Sequence, residues 1–99
     1  MSKKLTDAEI TTNLGTLDRW SRVGDKLHRT FEFKDFVTAF SFMAGAALVA
    51  EKLDHHPEWF NVYKTVKVDL ATHDAKGITA KDFELAHAMD LLARPLLPK

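Results

Sequence analysis

The residues best suited to chemistry lie in the second half of the chain: Glu51, the run His55-His56-Pro57, Tyr63, His73 and Asp82. Three of the five histidines fall between positions 55 and 73. An imidazole with a pKa of about 6.5 both gives and takes a proton near neutrality, so the cluster points to proton transfer or to metal binding. Three histidines and a water make a catalytic zinc pattern. However, adjacent side chains diverge on a helix or a strand, and the spacings that aim two rings at one ion are missing, which disfavours a metal. Cysteine is absent, no Gly-x-Ser-x-Gly elbow occurs, and no Gly-rich phosphate loop is present. Acid–base chemistry without a covalent intermediate fits best. Glu51 precedes His55 by one helical turn, close enough for a carboxylate–imidazole contact or simply a solvated position. Asp82 lies three residues after Thr79, where a carboxylate stabilises a helix start with or without a second role.

The elements that must hold these residues follow from local pattern. Thr6-Asp7-Ala8-Glu9 reads as a capping box opening a short helix. Trp20–Arg22 and Leu27–Phe33 flank Val23-Gly24-Asp25 as a hairpin, with Leu27, Phe31 and Phe33 on one face and His28, Thr30 and Glu32 on the other. Asp35 to about Asp54 favours a long helix with an apolar stripe of Phe36, Phe40, Met43, Ala47 and Leu48. Pro57 disfavours helical backbone at His56 and so ends that helix. Phe60, Val62, Val66, Val68 and Leu70 share parity and suggest a second hairpin turning near Tyr63–Lys64. Thr79 is the expected N-cap of a final helix carrying Phe83, Ala86, Met89 and Leu92, stopped by Arg94-Pro95. The order α-β-β-α-β-β-α predicts an α+β fold of two layers, a four-stranded antiparallel sheet with three helices on one face. His55 and His56 then fall at the end of the long helix and in the turn after it. His73 falls just beyond the last strand.

Ninety-nine residues, 45% hydrophobic, suit one domain spanning 1–99. Fourteen basic residues balance fourteen acidic ones, which argues against nucleic-acid binding and against a basic membrane-surface face. The longest apolar stretch, Phe40 to Ala50, is interrupted by Ser41, so no membrane span is expected. Met1-Ser2-Lys3-Lys4 runs straight into a polar helix start without an apolar leader, so a cytoplasmic location is expected.

With those residues in view, the chain resembles the pterin-4a-carbinolamine dehydratases. The resemblance rests on Glu51, His55-His56-Pro57, Tyr63, His73 and Asp82, on the whole segment Glu51 to Tyr63, and on Phe33-Lys34-Asp35-Phe36. It covers nearly the entire chain. It implies the same fold and the removal of water from 4a-hydroxytetrahydropterin to give quinonoid dihydropterin. His55 and His73 would be acid and base, exchanging roles between C4a epimers, while His56, the third catalytic residue, would chiefly hold the pterin and assist proton transfer. Asp54, Trp59, Thr72, Asp74 and Lys81 would contact the substrate, and Glu51 and Asp82 would orient imidazoles. Lys81 stands where members often carry Arg, so a bidentate contact there is lost. The resemblance implies no metal or organic cofactor, and a homodimer or homotetramer. The alternative it leaves open is a protein-binding scaffold, as a transcriptional coactivator or an assembly factor.

Overall fold

The computed structural model describes residues 3–98. Thr6 Oγ1 accepts from the Glu9 amide at 3.1 Å and the Glu9 carboxylate accepts from the Thr6 amide at 2.9 Å. This reciprocal cap opens α1 (Asp7–Leu14). The strands β1 (Ser21–Val23) and β2 (Lys26–Glu32) meet in a turn where Gly24 has φ +61°, a conformation that a Cβ would strain. Asp35 caps α2 (Phe36–Leu53), its carboxylate accepting from the Thr38 amide at 2.8 Å. The hairpin of β3 (Glu58–Val62) and β4 (Thr65–Leu70) follows, then α3 (Ala80–Ala93) and a short 3₁₀ turn, Arg94–Leu96. The order and fold class are those expected from sequence.

All strand pairs are antiparallel and the sheet order is β1-β2-β4-β3. Leu27 and Phe31 of β2, Val66, Val68 and Leu70 of β4, Phe42 of α2 and Leu85 of α3 are all at most 1% exposed and form the core beneath the helices. The Phe31 and Phe42 rings stand 4.7 Å apart, and burying side chains of this size stabilises by roughly 1.5–3 kcal/mol each. Arg29 shares this inner face, opposite Val68, and is only 8% exposed. Its Nη1 donates to Asp90 Oδ1 at 2.8 Å, and its guanidinium lies 4.2 Å from the Phe31 ring centroid. Trp20 Nε1 donates to the same Asp90 oxygen at 2.8 Å. A buried charge among apolar neighbours requires such partners.

Two expectations are corrected. The stripe Phe36, Phe40, Met43, Ala47 and Leu48 is not the core face of α2: Phe36, Phe40 and Leu48 are 49%, 57% and 75% exposed, and Ala47 is exposed. The face that packs is Ala39, Phe42, Ala46 and Ala50. Both stripes have helical spacing, and small alanines let the helix approach the sheet closely, which leaves the larger side chains outside. Second, Phe60 and Val62 do not share a face with Val66 and Val68. The two-residue turn at Tyr63-Lys64 pairs Val62 with Thr65 and Asn61 with Val66, so parity inverts across the hairpin. Phe60 and Val62 are accordingly 58% and 56% exposed. Across its 18 residues, α2 has a mean hydropathy of 1.4. Its apolar surface is divided between the core face and the outer stripe.

Candidate active site

The end of α2 decides where the two adjacent histidines go. Asp54 adopts left-handed backbone (φ 51°, ψ 44°), its amide donates to Glu51 O at 3.1 Å, and the His55 amide donates back to Ala50 O at 3.0 Å. This is a Schellman closure, built here on an aspartate. It turns His55 inward, to 8% exposure, and leaves the His56 side chain 60% exposed. The divergence expected of adjacent side chains is therefore present.

His55 points at the start of α3. Its Nε2 lies 2.5 Å from Asp82 Oδ1, and Asp82 is fully buried. The other oxygen, Oδ2, accepts from Thr72 Oγ1 and from the Thr79 amide, each at 2.9 Å. Thr79 Oγ1 lies 2.7 Å from Thr72 Oγ1. One carboxylate thus completes the capping box of α3, pins the residue before His73 and holds the His55 ring. Asp82 thus makes the helix-start contact and the imidazole contact at once.

His73 occupies the tip of a tight loop. Thr72 and Gly77 close its base, with the Thr72 amide donating to Gly77 O at 2.8 Å, and the Lys76 amide donates to His73 O at 3.1 Å. The His73 Nε2 is 3.4 Å from Glu58 Oε2, and Glu58 Oε1 is 2.6 Å from Lys26 Nζ. Glu58 follows Pro57 directly, so this contact joins the His73 loop to the His55-His56-Pro57 turn. His56 Nε2 in turn lies 2.8 Å from Glu51 Oε1. Each of the three imidazoles therefore turns Nε2 toward its own carboxylate: Asp82, Glu51 or Glu58. An ionised carboxylate only accepts, so the tautomer that satisfies each contact has Nε2–H and leaves Nδ1 for other work. Among the described residues, no hydrogen bond is made at Nδ1 of His55, His56 or His73.

The Lys26 ammonium, followed by the neighbouring His73, holds the Glu58 carboxyl below its ordinary range, and the same contact raises Lys26. Glu58, Lys26, Thr72, His73, Lys76 and Gly77 help line a cavity of about 360 Å³. A larger cavity, about 520 Å³, is bounded by Arg19, Arg29, Glu32, Asp90 and Arg94 and has no histidine in its wall. The smaller one is the candidate site because His73 lines it together with Glu58 and with Thr72, which Asp82 ties to His55. Trp59 lies half-buried on the inner face of β3 opposite Val68, packed against the core. Asp54 and Asp74 are exposed and Lys81 is half-buried. The side chains of Asp54, Trp59, Asp74 and Lys81 make no hydrogen bond among the described residues, and no three His, Asp or Glu gather there as metal ligands. Sequence reasoning missed Glu58 and Lys26. The place of Glu58 beside the His-His-Pro run was a signal for the first, whereas Lys26 reaches the site only through strand pairing.

An antiparallel sheet covered on one face, with histidine–carboxylate pairs at one rim, defines the class: a small α+β domain with a titratable pocket. The chain belongs to the pterin 4 alpha carbinolamine dehydratase family, whose model matches residues 3–92. A protein of Solibacter usitatus named for that dehydratase is 55% identical over 93 residues, covering 94% of this chain and 98% of its own. One of Rhodopseudomonas palustris with the same name is 54% identical, with both chains covered in full. The crystal structure of a transcriptional coactivator/pterin dehydratase from Brucella melitensis superposes with a TM-score of 0.90 at 52% identity, covering 92% of this chain and 99% of that one. The family is one of hydro-lyases, and its activity is pterin carbinolamine dehydration.

Proposed function

We propose that this chain removes water from 4a-hydroxytetrahydropterin by histidine acid–base catalysis, with His55 and His73 as the proton-transferring pair. One imidazolium protonates the hydroxyl on C4a, the C4a–O bond breaks and water leaves. The N5 lone pair forms the C4a–N5 double bond, and the N5 proton passes to the other imidazole. Charge and atoms balance within the substrate and the two rings, so the reading needs no metal or organic cofactor. The roles of the two rings exchange between the C4a epimers. His56 holds the pterin, aided by Asp54, Trp59, Thr72, Asp74 and Lys81. A positioned acid or base contributes ~10²–10⁴-fold.

The observation that carries this reading is the shared orientation of the three rings, Nε2 on a carboxylate and Nδ1 unengaged, in a chain of this family. The test generates the carbinolamine with an aromatic amino-acid hydroxylase and follows its ultraviolet decay. Wild-type protein is expected to accelerate the decay, and an unchanged decay overturns the proposal.

A second reading has its own support. The Brucella relative is named a transcriptional coactivator as well as a pterin dehydratase, and the outer face of α2 exposes Phe36, Val37, Phe40 and Leu48. We propose that this face serves self-association into a dimer or tetramer and, secondarily, a protein partner. Light scattering is expected to give a mass above the 11.2 kDa monomer, and a monomer overturns the self-association.

A further inference from the structure

Glu58 is placed to act on His73 from outside the fold as Asp82 acts on His55 from within. It opens β3 directly after His55-His56-Pro57 and pairs with Asp69 near the end of β4. Lys26, on β2, has Leu27 beside it paired with Leu70. The 2.6 Å contact between Lys26 Nζ and Glu58 Oε1 therefore passes over the last residues of β4, just before the chain enters the His73 loop. The second carboxylate oxygen faces His73 Nε2 at 3.4 Å. That distance is an ionic contact which a small side-chain rotation converts to a hydrogen bond. Thr72, one residue earlier, is fixed from the interior by Asp82. His73 itself has a side chain 77% exposed and no interior anchor, so the orientation of its ring depends on Glu58.

We propose that Glu58, braced by Lys26, is a positioning residue that holds the His73 ring by Nε2 and presents Nδ1 to the substrate pocket. The inference rests on the dehydratase reading and deepens it. An exposed ion pair adds little stability, so its effect belongs to ring orientation and hence to turnover.

The experiment compares wild type, Glu58→Ala, Glu58→Gln, Lys26→Met and His73→Ala in the carbinolamine decay assay, with thermal melts as a fold control. Glu58→Ala is expected to lower kcat about 10-fold with KM within about twofold, as loss of a ring-orienting partner does at metal-bound histidines. Glu58→Gln, which retains an acceptor, is expected to recover part of the loss, and Lys26→Met to fall between. A second readout follows the Glu58 carboxyl by carbon NMR against pH. Its midpoint is expected to rise in Lys26→Met and, by less, in His73→Ala. An active wild type with undiminished kcat in Glu58→Ala overturns this inference alone, as does a Glu58 midpoint indifferent to His73→Ala. An inactive wild type overturns the dehydratase reading and this inference with it.

Discussion

His55 and Asp82 stand 27 residues apart in the chain, and their side chains meet at 2.5 Å. The same carboxylate caps α3 and anchors Thr72, so orientation of the imidazole and formation of the helix share one group. Asp82→Ala removes the carboxylate half of the capping box and strands the buried donors Thr79 N and Thr72 Oγ1, at about 1–3 kcal/mol each. A loss of about 3–5 kcal/mol is expected in urea denaturation. Asp82→Asn keeps one acceptor for the cap and loses the charge beside His55. It is expected to cost less stability and to lower kcat by up to about 10⁴-fold, the loss that the aspartate-to-asparagine change beside a catalytic histidine brings.

Asp54 permits a separation of turn from substrate contact. Its left-handed backbone suits glycine better than aspartate. Asp54→Gly is expected to keep or raise stability, by about 0.5 kcal/mol after the entropy of glycine is counted. A fall of about 10-fold in kcat/KM in the same variant then reports on the carboxylate, as one hydrogen bond to a charged group is worth. Unchanged kcat/KM removes Asp54 from the pterin contacts.

The Arg29–Asp90 pair tests the scaffold away from the site. Both side chains are largely buried, 9% and 14% exposed, and Arg29 Nε finds no acceptor among the described residues. Breaking one side of a buried pair costs about 3–5 kcal/mol. Arg29→Met is expected near the low end, since Trp20 still donates to Asp90. Denaturant unfolding measures the loss, and kcat per folded molecule is expected to stay at the wild-type value.

Acid should act on the caps. Hydrogen bonds from Thr38 hold the Asp35 carboxyl below its ordinary range, and those from Thr6 do the same for Glu9. A depressed folded value means the contribution is complete above the unfolded value, about 3.9 for Asp and 4.3 for Glu. It is lost as the pH falls through the lower folded value. Melting temperature is expected to drop over that acid window. In Asp35→Ser, which caps without ionising, the drop should be shallower.

Much of the fold was legible because its punctuation is local. Thr6 and Thr79 cap α1 and α3, and the two hairpins turn at Gly24 and at Tyr63-Lys64, as their types and spacing indicated. The inner face of α2 was not legible, since Ala39-Phe42-Ala46 and Phe36-Phe40-Ala47 have equally helical spacing and only tertiary contact chooses between them. Within the site, His55, His73 and Asp82 stood out as residue types in a spaced set. The pairings were legible only in part: Glu51 meets His56 rather than His55, Glu58 reaches His73 across a loop and Lys26 reaches Glu58 across a strand. Arg29 was hidden for the opposite reason, a charged residue placed on the buried side of a strand that otherwise alternates.

The most direct measurement follows the ultraviolet decay of freshly formed 4a-carbinolamine with wild-type protein, each single variant His55→Ala and His73→Ala, and the double variant. Wild type is expected to accelerate the decay, each single variant to lose ~10²-fold or more of that acceleration, and the double variant to match buffer. A double variant that still dehydrates the pterin at the wild-type rate would contradict the assignment of proton transfer to these two rings.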